Sequence, residues 1–160
     1  MLNGMELHHK FMKQALDCAL LALQTGDVPI GAVLVHDGRV VGKGWNQVEK
    51  LKDVTAHAEI IAMSSASDAL QDKYLASCSL YVTVEPCTMC AGAIELARVS
   101  KVFFGAHEPK TGACGSKRSI LGTTSRTSSI KEVYGGIMEE ECASLLTRFF
   151  QGLRSESKKD

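Results

Sequence analysis

Two short runs of this sequence hold the residue types that zinc chemistry needs. His57-Ala58-Glu59 opens one apolar, helix-forming stretch, and Pro86-Cys87-Thr88-Met89-Cys90 opens another. Cysteines three apart on a helix share a face, so Cys87 and Cys90 can ligate one ion, and a histidine from a neighbouring helix supplies a third ligand. Three protein ligands rather than four leave zinc a position for water, which separates a catalytic site from a structural one. Helix N-termini favour negative charge, which helps ionise both thiols and brings the pKa of a water on the metal toward about 7. Two thiolates already neutralise the ion, so Glu59 is free to move protons.

Taken singly, neither run is specific. His-x-Glu at a helix start is ordinary capping and surface charge, and a lone Cys-x-x-Cys fits a redox pair, a zinc half-site or two core thiols. Together, each opening a helix, they point to a catalytic zinc. Cys18 and Cys142 fall on apolar helix faces and read as core, Cys78 starts a strand, and Cys114, in a Gly-rich loop, reads as structural. His8, His9 and His36 are expected at the surface. His107 stands in a basic segment, where a nucleic-acid contact and a solvent position are equally compatible.

The elements that must position these residues follow from periodicity. Phe11, Ala15, Cys18, Ala19, Ala22 and Leu23 recur at helical spacing, and Thr25-Gly26 ends that helix. Gly31 to His36 and Arg39 to Trp45 flank Asp37-Gly38, a strong hairpin signal. A helix is expected from Ala56 to Leu70 with Thr55 as N-cap, a strand over Ser79 to Val84, and a helix from Cys87 to Ala97 opened by Pro86. Val99 to Gly105 and Lys131 to Tyr134 are further strands, and Ile137 to Leu153 a final amphipathic helix. Roughly 25 residues between the last two strands suffice for a parallel crossover. This order predicts one α/β domain over residues 1–153, a mixed sheet faced by helices, with a polar, flexible tail at 154–160.

Composition sets the outer bounds. A chain of 160 residues, 45% hydrophobic and 22% charged, has single-domain size and excludes a disordered protein. Eighteen Lys and Arg balance eighteen Asp and Glu, yet Arg98 to Lys131 holds seven basic residues (Arg98, Lys101, Lys110, Lys117, Arg118, Arg126 and Lys131) against Glu108 alone. That asymmetry fits an anionic partner on one surface or a solvated basic face. No signal-peptide core or membrane-spanning run is seen, and six cysteines in a core-rich chain read as free thiols of a reducing, cytoplasmic compartment.

With those residues in view, the chain resembles the tRNA adenosine deaminases of the cytidine/deoxycytidylate deaminase superfamily. His-x-Glu with Pro-Cys-x-x-Cys is the known pattern of zinc deaminases acting on nucleobases. The resemblance runs from about Lys10 to Phe150 and includes Val28 to Val33, Gly44-Trp45-Asn46, Thr55 to Ile60, Glu85 to Ala93 and Lys110 to Ala113. The zinc motif marks only the superfamily; Met89 to Ala93 and Lys110 to Ala113 mark the tRNA branch. It implies a cytidine-deaminase-like three-layer α/β/α sandwich with a five-stranded mixed sheet. It also implies one Zn2+ per subunit on His57, Cys87 and Cys90, Glu59 as catalytic proton shuttle, a homodimer, and a tRNA anticodon stem-loop as partner.

Carried over by position, the resemblance makes Asn46 a substrate-positioning residue, has Ala58 present backbone to the base, and has Val28 and Pro29 wall the pocket. Glu108 stands where the family commonly has aspartate, keeping an acceptor with a longer reach toward a flanking nucleotide, and Lys110 joins the RNA contacts. Of the pair Phe149-Phe150, one ring is expected to stack on a base and the other to be core, with Phe149 the stacking candidate. The implied reaction is hydrolytic deamination of adenosine to inosine at the wobble position, a zinc-held hydroxide attacking adenine C6 while Glu59 carries protons. A guanine or cytosine deaminase acting on a free base or nucleotide would use the same machinery, and spacing does not separate these substrates. A zinc-stabilised RNA-binding module and a redox protein built on Cys87 and Cys90 are the other readings.

Overall fold

The computed structural model describes residues 1–121 and 128–159; Arg126 of the basic run and Asp160 of the tail lie outside the described residues. The chain opens with α1 (Gly4–Ala22), which Asn3 and Glu6 cap reciprocally through side-chain to backbone bonds of 2.9 and 2.8 Å. A 3₁₀ turn over Leu23–Thr25 and Gly26, at φ 71°, end it. Strands β1 (Gly31–His36) and β2 (Arg39–Trp45) form the expected hairpin, with Asp37 and Gly38 both at positive φ, as a type I′ turn requires. There follow α2 (Val48–Leu51), α3 (Ala58–Leu70), β3 (Cys78–Val84), α4 (Thr88–Leu96), β4 (Lys101–Ala106), β5 (Glu132–Tyr134) and α5 (Glu139–Glu156).

The five strands make one sheet in the order β2-β1-β3-β4-β5, β1 antiparallel to both neighbours and β3, β4 and β5 parallel. Alternation along the strands sorts side chains to two faces. Leu34, Leu80, Val82 and Phe104 pack against α3 and α4, while Val33, Tyr81 and Phe103 pack with Phe11, Met12 and Cys18 of α1 and Cys142 of α5. The result is the three-layer α/β/α sandwich that the resemblance implies.

Several expectations are corrected at this level. α3 begins two residues later than predicted: Thr55 turns its N–H and hydroxyl onto Asp53 Oδ1, at 2.8 and 2.7 Å, and His57 takes the N-cap position. Cys87 likewise is the N-cap of α4 rather than its first helical residue. Leu23 lies outside the core, 42% exposed on the 3₁₀ turn. His8 is no plain surface residue: its ring lies 4.3 Å from that of Phe103 and its Nδ1 is 2.8 Å from the Tyr81 hydroxyl. The last helix also starts and ends later than expected, α5 running from Glu139 to Glu156.

The sheet places the chemistry. Parallel α/β sheets gather their sites beyond the carboxyl ends of the strands, and there β3 runs into Pro86-Cys87 and β4 into the loop after Ala106. The same topology divides the basic run. Lys101 begins β4 and is paired with Glu132 at 3.1 Å, whereas Lys110, Lys117 and Arg118 follow the other end of that strand. Among the described residues the run therefore does not form one surface, Lys101 standing at the start of β4 and Lys110, Lys117 and Arg118 beyond its end.

α3 is brought close enough to share that end by two glycines of β2. A methyl group on Gly44 would overlap the Ala58 carbonyl oxygen and the Ala62 nitrogen, and one on Gly42 the Ala62 carbonyl and Ala66 nitrogen. Ala58, Ala62 and Ala66 are the matching small stripe of α3, all fully buried. Gly44→Ala must push the first turn of α3 outward; we expect a loss of about 1–3 kcal/mol in chemical denaturation and a lower zinc content after dialysis. Unchanged stability together with full zinc retention would contradict this packing role.

Candidate active site

His57, Cys87 and Cys90 are the one group of potential metal ligands among the described residues, their ligand atoms all within 4.8 Å of one another. His57 Nδ1 lies 3.6 Å from Cys87 Sγ and 3.5 Å from Cys90 Sγ. A tetrahedral zinc with ordinary Zn–N and Zn–S bonds separates such donors by about 3.6 Å, so the cluster fits the ion. The helix caps explain the convergence: residues 57 and 87 stand just outside their helical barrels and Cys90 comes round one turn later. The two helices thus present one imidazole nitrogen and two sulfurs to one point.

Electrostatics agrees with ligation. A hydrogen bond from Cys90, backed by one from His57, pulls the Cys87 thiol down to about 3 against the opposing effect of burial. The Cys90 thiol, the donor in that bond and buried, is pushed up, and His57 is raised by its bond to the Cys87 sulfur.

Three acidic side chains are buried among the described residues: Asp27, Glu59 and Glu85. Two are saturated. Asp27 accepts from the Thr25 hydroxyl at 2.6 Å and from the Glu49 and Lys50 N–H groups at 2.6 and 3.2 Å, so it caps α2 from 22 residues upstream. Glu85 accepts from the N–H groups of Glu108, Cys114 and Ser116 at 2.9, 3.0 and 3.0 Å; burial opposes its ionisation, but these bonds hold its carboxyl below the usual carboxylate range. Glu59 differs. It is 3% exposed, and burial, only partly offset by its own backbone N–H and the charge of His57, pushes its carboxyl above the usual range. A carboxyl held ready to take and give a proton beside a metal triad has the character of a general acid and base.

A cleft of about 720 Å³ opens onto this group, with His57, Glu59 and Cys87 at its floor. The expected substrate residues are distributed unevenly around it. Asn46, 8% exposed, lines it together with Val28, Ala58 and Glu108, the Glu108 Oε1 accepting the Lys110 N–H at 2.9 Å. Phe149 and Phe150 both line it, ring centroids 5.3 Å apart and edge to face, so neither is core. Pro29 does not line it, being fully buried, and Ile30 takes that place. Lys110 also stands off the cleft, exposed, while its neighbour Thr111 borders it. His107 is bonded to Glu139 Oε1 at 2.7 Å. Burial pushes the Cys114 thiol up to about 12, which suits a structural thiol.

Sequence reasoning missed Asp27, Glu85 and α2. An acidic residue closing an otherwise apolar strand run such as Cys78 to Val84 was the available signal for Glu85, because a carboxylate so placed needs partners.

Residues 5–106 match the family described as the cytidine and deoxycytidylate deaminase zinc-binding region. A tRNA-specific adenosine deaminase of Haemophilus influenzae is 44% identical over 154 residues, 96% of this chain and 88% of the relative. A solved structure from work on A-to-I editing by tRNA deaminases at the wobble position of transfer RNA superposes with a TM-score of 0.77 at 44% identity, over 86% of this chain and 99% of that one. A Bacillus subtilis guanine deaminase superposes with a TM-score of 0.62 at 38% identity, over 70% and 72% of the two chains. With the zinc-fitting cluster, the buried glutamate and these likenesses in hand, the chain belongs to the cytidine and deoxycytidylate deaminase family, in its tRNA-specific adenosine deaminase branch.

Proposed function

We propose that this protein hydrolyses the exocyclic amine of adenosine at the wobble position of a tRNA anticodon loop, leaving inosine in the RNA and releasing ammonia. The observation that carries the reading is Glu59, a buried carboxyl raised by burial at the edge of a His/Cys/Cys triad that fits zinc. The activity named for the Haemophilus relative supports the choice of adenosine in tRNA. An anticodon base is already unpaired, so drawing it into the cleft costs little.

Zinc held by His57, Cys87 and Cys90 supplies Lewis-acid activation of water at neutral pH. The chain does the proton work. The Glu59 carboxylate accepts a proton from the attacking water and gives it to a ring nitrogen as the C6–O bond forms. It then takes the proton left on the new C6 hydroxyl to the amine, as the C6–N bond breaks and the C6 carbonyl forms. Asn46 can donate to and accept from the nucleoside, and Val28 and the Ala58 backbone wall the base. Phe149 and Phe150 offer faces to flanking bases, Glu108 has a second carboxylate oxygen for a neighbouring nucleotide, and Lys110 stands with Lys117 and Arg118 where the RNA backbone would run.

The reading includes a cytoplasmic homodimer. Leu96 is 81% exposed beside Ile60, Met63, Tyr74 and Ala97, an apolar face of α3 and α4 that a second copy would cover. Among the described residues, no helix is long and apolar enough to cross a membrane.

Similarity to a guanine deaminase favours one second reading, a free purine base as substrate. The two separate on incubating the protein with an anticodon stem-loop RNA and, in parallel, with guanine and cytidine. We expect inosine at the wobble position by mass spectrometry and no ammonia from the small molecules; ammonia from guanine with unedited RNA would replace this reading with the second. Glu59→Ala should keep its zinc while kcat on the stem-loop falls about 10²–10⁴-fold or more. Turnover within threefold of wild type would remove Glu59 from the proton path.

A further inference from the structure

The loop after β4 has an anchor that the reaction itself does not use. The buried Glu85 carboxylate collects N–H groups from both ends of residues 108–116: Oε2 from Glu108 at 2.9 Å, and Oε1 from Cys114 and Ser116 at 3.0 Å each. Backbone bonds lie alongside. Glu85 N–H donates to the Ala106 carbonyl at 2.9 Å, Ala113 N–H to the Pro86 carbonyl at 2.8 Å, and Cys87 forms an isolated antiparallel bridge with Gly112. Gly112 is pressed so closely against the Glu85 carboxyl and the Glu108 carbonyl oxygen that a methyl group there would overlap both.

We propose that Glu85 is a positioning residue for substrate, its carboxylate fixing the 108–116 loop so that Glu108 and Thr111 form one wall of the cleft. The geometry supports a role in binding rather than in bond breaking. The carboxylate is spent on three loop amides, and the residues those amides belong to include Glu108 at the cleft. Another part of the lining has the same construction in Asp27, which fixes α2 through the Glu49 and Lys50 amides. The cleft is thus lined by two segments, each tied by one buried carboxylate to backbone far away in sequence. Charge-assisted bonds of this kind are stronger than neutral ones, and an uncharged isostere cannot replace them.

Glu85→Gln tests this with the full chain. An amide side chain has one acceptor oxygen and one NH2 donor, so in its better orientation it keeps Cys114 and Ser116 and turns NH2 toward the Glu108 N–H. We expect full zinc content, faster hydrogen exchange at the Glu108 amide, a KM for the anticodon stem-loop raised about tenfold, and kcat within threefold of wild type, the size of effect one charge-assisted hydrogen bond carries. Gly112→Ala, which disturbs the same contact from the loop side, should reproduce the KM effect and gives an independent test should Glu85→Gln fail to fold. Wild-type amide protection with unchanged KM, or a lowered melting temperature with KM unmoved in both variants, would overturn the proposal. The kinetic readout rests on the deaminase reading, whereas the exchange readout does not. Loop amides loosened in a protein inactive on RNA would therefore uphold the anchor and count against the substrate.

Discussion

Everything in this molecule that bears on chemistry depends on two helices ending at one point. His57 and Cys87 are not embedded in α3 and α4 but cap them, and Cys90 adds the next turn of α4. That arrangement gives one nitrogen and two sulfur donors with edges of 3.5 and 3.6 Å between nitrogen and sulfur, in the partial positive field of two helix N-termini. It holds only if both helices keep their distance from the sheet. On the α3 side that distance is set by Gly42 and Gly44 facing Ala58, Ala62 and Ala66, a contact with no room for a single methyl.

The buried acids show how one residue type takes opposite roles by environment. Asp27 and Glu85 are satisfied by backbone N–H groups of loops they hold, and so behave as internal caps. In Glu59 burial outweighs the lowering effects of its own N–H and of His57 and raises the carboxyl. Desolvation that outweighs its compensation keeps a proton close, while desolvation outweighed by three amide donors expels it. The contrast between Glu59 and Glu85 distinguishes a group that exchanges protons from one that fixes geometry.

Much of this was legible in residue order because the controlling interactions are local. Asp37-Gly38 defines its hairpin by needing two positive φ angles in succession, and Cys87-x-x-Cys90 aligns two sulfurs by helical pitch alone. What escaped the sequence depends on partners distant in the chain. Thr55 looked like a cap, but Asp53 two residues earlier competes for the same hydroxyl and N–H, and the helix starts at the metal ligand instead. Asp27 and Glu85 bind amides 22 to 31 residues away, a relation without a period or a motif. A single anion-binding surface stayed open as one reading of the basic run because sequence proximity hides that β4 separates Lys101 from Lys110, Lys117 and Arg118.

The central claim is a zinc ion held by one imidazole and two sulfurs with a coordination position left to solvent. Zinc-edge X-ray absorption on the purified, loaded protein tests it most directly. The account predicts two sulfurs at about 2.3 Å, one imidazole nitrogen at about 2.0–2.1 Å and one further light scatterer that changes when a competing solvent-borne ligand is added. A shell of three or four sulfurs, or a second imidazole in the remaining position that is indifferent to such a ligand, would make the site structural and contradict the reading.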